Sequence, residues 1–406
     1  MAKQVFEGLK VAEFAWTGVG PIPGTYLASL GATVVRVESA TRPDPLRTMG
    51  PYKDRIPGIN RSGFYNPANT NKYGLALNMK YPRAREVARR LIEWADVVTE
   101  AYTPGTMAKW GLSYEEVRKF KPDVVYYSTC MAGQNGPYAP IPGFGAQLTG
   151  MSGFSVITGW QDRTPSVPYG AYTDFINIRL AILALVSALD YRRRTGKGQY
   201  LDFSQYEGGV SFLAPLILDY RVNKRVANRE GNRDRRYVPH GVYRCLGEDR
   251  WCAITVCNDN EWQALCKVLG NPEWSRSEKF ATFTGRKKNE EELNRFIEEW
   301  TVDRSPQEVM EVMQKAGVPA GVVINSEGMM KDPQLQHRQA FGTVKHSEIG
   351  EHVAVDFGSG FRFRNQKPEF RMPSPCVGEH SEYVCTKFLG MSDEEFAALF
   401  GEGIFE

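Results

Sequence analysis

Histidine is scarce in this chain and absent from its first 239 residues; the five present are His240, His337, His346, His352 and His380. Chemistry in the N-terminal half therefore has no imidazole base unless another region supplies one. An excess of one charge is also lacking, with 50 Lys+Arg against 47 Asp+Glu, too even for a chain that lives on nucleic-acid phosphates. The longest apolar run, 175–189, is broken by Asn177 and Arg179 and reads as too short to span a bilayer. The N-terminus MAKQVFEGLKVAEF has no apolar stretch like that of a secretion signal. Neither a Gly-x-Ser-x-Gly elbow nor a P-loop occurs, so hydrolase and NTPase readings lose their main support. Seven cysteines are an odd number scattered over 406 residues, which is not a disulfide scaffold. Cys245, Cys252, Cys257 and Cys266 cluster without the Cys-x2-Cys spacing of a zinc site, and His240 is the only histidine nearby. They read as reduced thiols, and the chain reads as cytoplasmic.

What is present is a regular alternation. Short β-branched runs at 9–14, 33–38, 96–99 and 122–128 alternate with helical patterns at 25–30 and 82–94, and strand–helix–strand repetition predicts a parallel, doubly wound sheet. A long helix is expected over 174–194, apolar on nearly every face and so destined for a core or an interface. A strand at 200–204 follows it. Residues 221–236 are rich in Arg, Asn and Lys and read as a solvated linker, with a basic patch for phosphates as the alternative. Strands within 240–256 and helices at 259–280, 290–301 and 306–316 predict a compact small domain, and 325–406 is loop-rich. The expected division is a large domain from 1–220, a linker at 221–236, a small domain at 237–324 and a return segment at 325–406.

The first strand is followed by Thr17-Gly18-Val19-Gly20-Pro21-Ile22-Pro23-Gly24, with Glu38 ending the second. A dinucleotide fingerprint would need Gly-x-Gly-x-x-Gly; here the spacing is wrong, and Pro21 and Pro23 lack the amide hydrogens of a phosphate cradle. Asp174, at the start of the long helix, has two readings. As an N-cap, its carboxylate satisfies free first-turn amides. As a nucleophile, amide donors and the helix dipole keep it ionised for attack on a thioester.

Several segments in order resemble the class III CoA-transferases, the family that includes formyl-CoA:oxalate and carnitine CoA-transferases and α-methylacyl-CoA racemase. They are Leu30-Gly31-Ala32-Thr33-Val34-Val35-Arg36-Val37-Glu38, Asn69-Thr70-Asn71-Lys72, Pro104-Gly105 with Trp110-Gly111-Leu112, Thr173-Asp174, Arg194-Thr195-Gly196-Lys197-Gly198-Gln199, Val318-Pro319-Ala320-Gly321 and Gly378-Glu379-His380. The resemblance covers nearly the whole chain. It implies an α/β fold with a Rossmann-like parallel-sheet large domain, a smaller α+β domain, and two subunits interlocked like chain links. Asp174 falls on the family's nucleophilic aspartate, and CoA adenine and phosphates are expected near Thr17, Gly18, Val19, Lys72, Tyr102, Lys109 and Trp110. No tightly bound cofactor is implied; coenzyme A thioesters are the substrates, and no nucleic acid or membrane partner is expected.

The departures shape the expected substrate. Ser39 and Cys130 stand where formyl-CoA transferase has an arginine and a lysine, leaving Arg42 or Arg47 for the phosphates, and Ala101 replaces an asparagine. The tetraglycine loop is missing, and Pro239-His240-Gly241-Val242-Tyr243 begins that region, so oxalate is a poor fit. Gly143-Phe144-Gly145 replaces the racemase branch's Gly-His-Asp, which removes the second base that racemisation needs. The pattern is similar to succinyl-CoA-dependent enzymes of aromatic catabolism, with benzylsuccinate as a candidate acceptor and Phe144, Phe154, Trp160, Tyr169 and Tyr172 as pocket candidates. Assembly as a homodimer or with a related subunit stays open. The alternatives are an acyl-CoA racemase of the same fold and a non-catalytic CoA-binding subunit.

Overall fold

A computed structural model describes residues 4–355, 360–361, 363–366 and 368–406; the rest of the expected return segment lies outside the described residues. The chain divides into two units. One comprises 1–155, 167–226 and 337–406, the other 156–166 and 227–336.

The first unit is built on six parallel strands: β1 (Lys10–Phe14), β2 (Thr33–Glu38), β3 (Tyr73–Ala76), β4 (Val97–Glu100), β5 (Val125–Cys130) and β6 (Gln199–Ser204). Their order is β3-β2-β1-β4-β5-β6, the doubly wound arrangement, which reverses direction between β1 and β4. Successive residues of a strand face opposite sides, so Val11, Val34, Val97 and Val125 pack with one group of helices and Ala12, Val35, Val98 and Tyr126 with another. On the second face the helix Pro82–Trp94 buries Ala84, Val87, Ala88, Leu91 and Ile92, a helical spacing that makes one stripe. Each fully buried Val, Leu or Ile is worth roughly 1.5–3 kcal/mol. The first face is covered by Tyr172–Thr195, which buries Ala181, Leu185 and Ala188.

That helix runs unbroken for 24 residues, longer than the apolar run 175–189 suggested, and is long and apolar enough, by length and composition alone, to cross a membrane. One face lies in the core while Leu183 on another is 62% exposed, which leaves the expected core-or-interface placement standing. Its C-terminal Arg192 is fixed by Asp96 (3.0 Å) and Asp123 (2.5 Å). The first helix also begins earlier than the pattern suggested, at Pro21, because prolines in a first turn forgo amides that have no intrahelical acceptor.

β3 is an edge strand, and Gly378-Glu379-His380 covers its outer side. Gly74 N donates to His380 Nδ1 (3.1 Å), His380 N to Gly74 O (2.9 Å) and Ala76 N to Ser381 Oγ (3.1 Å). These bonds occupy backbone groups that an open edge would offer to another chain. His380 thus has a structural task. Two further strands, β10 (Phe341–His346) and β11 (Gly350–Val355), form an antiparallel hairpin in the stretch that read as loop-rich.

The second unit carries an antiparallel sheet of β7 (His240–Arg244), β8 (Trp251–Thr255) and β9 (Ala320–Val323), packed with helices Asp259–Val268, Glu290–Thr301 and Pro306–Lys315 around Tyr243, Ile254, Trp262, Leu293, Ile297 and Met313. Ser305 and Glu308 close a capping box on the last helix. In the basic stretch before β7, Arg233 pairs with Glu291, Arg235 with Glu230 and Arg236 with Asp234. All seven cysteines are free.

Candidate active site

Open doubly wound sheets bind ligands outside the carboxyl ends of the strands, where the strand order reverses. A cleft of about 610 Å³, counted to its open mouth, lies there in the first unit. Thr17 and Val19 come from the loop after β1, Ala101 to Pro104 from after β4, Cys130 and Met131 from β5 and its loop, and Gln205 from after β6. Gly143, Phe144 and Gly145 form another wall, and Asp174 reaches in from the long helix.

Asp174 is not an N-cap. The helix begins at Tyr172 with Ala171 at the cap position and no side-chain cap bond, so Asp174 is a first-turn residue. Among the described residues no hydrogen-bond donor reaches its carboxylate, contrary to the expected amide donors. Burial in this cleft pushes its carboxyl up to about 6, because a charge removed from water is disfavoured. At neutral pH it is still mainly ionised, more basic than an ordinary aspartate and without a partner to quench it. Such a group is suited to covalent attack.

The backbone shapes the space around it. A Cβ on Gly145 would lie 2.3 Å from Asp174 Oδ1, so only glycine lets the carboxylate lie against this wall. Thr173, fully buried beside Asp174, bonds the Gly145 carbonyl through its hydroxyl (3.3 Å), as does Thr149 (2.7 Å). A Cβ on Gly18 would make ordinary contact with Asp174, 3.6 Å from its Cβ. Thr17, Gly18, Val19 and Asp174 are therefore brought together.

Tyr102 is also at the cleft, its ring edge-on to Trp16 at 5.3 Å and to Trp110 at 5.2 Å. The exposed Arg42 guanidinium stands 5.0 Å from the centre of the Trp16 ring, a cation–π distance. Lys109 is exposed at the end of the short helix Thr106–Lys109 that precedes Trp110.

Lys72 and Arg47 are corrections. Lys72 has no exposed surface; its Nζ donates to Glu13 (2.7 Å), Pro21 O (2.7 Å), Asn69 Oδ1 (3.1 Å) and Ala68 O (3.3 Å). Burial lowers its ammonium to about 8, and no proton is left for a phosphate. Arg47 is equally enclosed, paired with Glu38 at 2.5 Å and lying 3.7 Å over the Tyr65 ring. Of the two candidate arginines only Arg42 is open to a ligand. Cys130 lines the cleft as a neutral thiol, since burial pushes it up to about 11. Among the proposed aromatics only Phe144 lines the cleft: Phe154 packs on Tyr172 at 5.2 Å, Tyr169 on Phe175 at 5.1 Å, and Trp160 belongs to the second unit. Sequence reasoning met Gly145 only as a departure from the racemase pattern, and it missed Thr149 and Gln205, whose only signal is their nearness to Asp174 in space.

The CoA-transferase family III profile matches residues 6–381. The chain belongs to CoA-transferase family III. It is similar to succinyl-CoA–D-citramalate CoA-transferase of Chloroflexus aurantiacus, 28% identical over 400 residues that cover 97% of this chain and 96% of that protein. It is also similar to succinate–glutarate CoA-transferase of Agrobacterium fabrum, 31% identical over 385 residues, 94% of this chain and 95% of that one. Among solved structures, a CAIB/BAIF family protein from Brucella suis superposes with a TM-score of 0.86 at 29% identity, covering 95% of this chain and 100% of that one. The protein is a CoA-transferase enzyme, acting on CoA thioesters and carboxylic acids, and its relatives include transferases named for succinyl-CoA.

Proposed function

We propose that Asp174 carries CoA between two acids as a transient thioester. The observation supporting this reading is a single unpartnered carboxylate, raised to about 6, in the cleft at the sheet's reversal point. Asp174 attacks the thioester carbon of the donor, the C–S bond breaks, and CoA leaves as a thiolate with a mixed anhydride behind it. The thiolate then attacks the Asp174 carbonyl carbon, the donor acid departs as a carboxylate, and an aspartyl-CoA thioester remains. The acceptor carboxylate attacks that thioester, CoA thiolate leaves again, and its return to the acceptor's acyl carbon frees Asp174. Anhydride and thioester are both activated acyl groups, so the donor thioester's energy is passed along and the overall exchange of one thioester for another is near-balanced. Tyr102 and Trp110 supply an aromatic surface for the adenine, and Arg42 and Lys109 supply charge for the phosphates.

Succinyl-CoA is the proposed donor, and the proposed acceptor is an acid with an apolar body such as benzylsuccinate. Val19, Met131, Ile141, Pro142 and Phe144 line the cleft, and among the described residues no Lys, Arg or His lines it. With no second base beside Asp174 among those residues, transfer is favoured over racemisation. A second subunit, the same chain or a related one, is proposed to cover the helix Ala214–Asn223, which has no buried residue and exposes Ile217, Leu218 and Val222. Seven free cysteines fit a cytoplasmic enzyme. Offering succinyl-CoA with a panel of carboxylic acids and following CoA esters by mass spectrometry tests the assignment. Benzylsuccinyl-CoA should form faster than glutaryl-CoA; the reverse order overturns the aryl acceptor.

A further inference from the structure

Beneath the turn that faces Asp174 lies a fully buried chain of charges. Lys72 Nζ meets Glu13 Oε1 at 2.7 Å, Arg36 Nη1 meets the same oxygen at 3.1 Å, and Arg36 Nη2 bonds Asp44 Oδ2. Lys72, Glu13, Arg36 and Asp44 are all without solvent exposure. The chain ends on the backbone of the cleft. Asp44 Oδ2 accepts the Thr17 amide at 3.1 Å, Asp44 Oδ1 accepts Leu46 N at 2.8 Å, and Arg36 Nη1 donates to Ala15 O at 2.9 Å. Arg36 and Asp44 thus grip the main chain on both sides of Trp16.

That grip holds an unfavourable conformation. Thr17 has φ +58°, a left-handed backbone that a β-branched residue adopts only when its surroundings impose it. Its own hydroxyl bonds Trp16 O at 2.8 Å. The next residue, Gly18, lies against Asp174, and Gly18 O receives Ile22 N (3.2 Å) at the start of the helix Pro21–Ser29. A carboxylate without hydrogen bonds of its own depends on its walls for position, and this wall is fixed by the buried charges.

The geometry points to Asp44 and Thr17 as positioning residues: Asp44, clamped by Arg36, locks the left-handed turn at Thr17 that holds Gly18 against the reacting carboxylate of Asp174. This rests on Asp174 being the nucleophile. Asp44 touches no substrate; it acts through the Thr17 amide.

Two variants test it. Thr17→Gly keeps the amide and tolerates φ +58°, so it should fold with a melting temperature equal to or above the parent's while loosening the turn. Its kcat should fall on the order of 10- to 100-fold, as expected for a misplaced reacting group, a larger factor than any rise in KM for succinyl-CoA. Asp44→Asn should show the same split where it folds; should it not fold, Thr17→Gly decides alone. Folded variants with the parent's kcat, or with a raised KM and unchanged kcat, overturn the proposal. Asp174→Asn, assayed alongside, separates the two readings: normal turnover there sinks the nucleophile assignment, whereas a dead Asp174→Asn beside fully active Thr17→Gly and Asp44→Asn sinks only the positioning role.

Discussion

Asp44 and Asp174 belong to the same structural unit and flank the same turn, yet their surroundings are opposite. Asp44 is fully buried and both its oxygens are engaged by Arg36, Thr17 N and Leu46 N. Asp174 is partly open to a cleft, with no donor among the described residues and only burial acting on it. A carboxylate whose lone pairs are all occupied builds the fold; one left without partners keeps its reactivity. The same contrast separates Lys72 from Lys109, and Arg47 from Arg42.

Removing the free carboxylate should have the largest effect. Asp174→Ala or Asp174→Asn should cut transfer by about 1,000-fold or more, the scale of losing a covalent nucleophile, measured as acyl-CoA turnover. Stability should move the other way. A carboxyl raised from 3.8 to about 6 by burial costs the folded state up to ~3 kcal/mol above both values. Asp174→Asn should therefore melt above the parent at pH 7, and the gap should close as pH falls through 6 towards 4. A melting temperature that drops would break the contrast with Asp44.

Breaking the occupied network should act on the fold. Lys72→Met leaves Glu13 short of one partner and should cost about 3–5 kcal/mol, read by denaturant unfolding, with KM for succinyl-CoA unchanged in the folded fraction. A selective rise in KM would return Lys72 to the phosphates.

Protonation of Asp174 gives a smaller effect at working pH. Because its carboxyl titrates at about 6, acylation should be half-maximal near that pH and fall about tenfold per unit below it. An acid limb near 4 would mean that the cleft does not desolvate the group. Smallest are the surface cations: Arg42→Ala and Lys109→Ala should each raise KM for succinyl-CoA by about 2–5-fold, less at high salt.

The sequence made five of the six parallel strands legible: runs such as Thr33-Val34-Val35-Arg36-Val37-Glu38 bury both faces, while β6 alternates half-buried and exposed residues. β3 escaped notice: it has four residues, includes Gly74, and is held at the edge by His380 from 306 residues away. The β10–β11 hairpin was hidden by its polar alternation and by Pro333 and Pro368 on either side. Asp174 was found through its motif, but its isolation was not visible, since a first-turn aspartate normally accepts amides. Lys72 misled for the converse reason. A lysine in a family motif reads as free charge, and its partner Glu13 lies 59 residues earlier. Local pattern reports strands and turns well; whether a charge is occupied is decided by contacts between distant segments.

Mass analysis of the active-site peptide during turnover addresses the central claim most directly. With succinyl-CoA present, hydroxylamine should convert Asp174, and no other acidic residue, to its hydroxamate, and borohydride should reduce the same side chain to an alcohol. An unmodified Asp174 peptide from enzyme that is turning over would contradict the account.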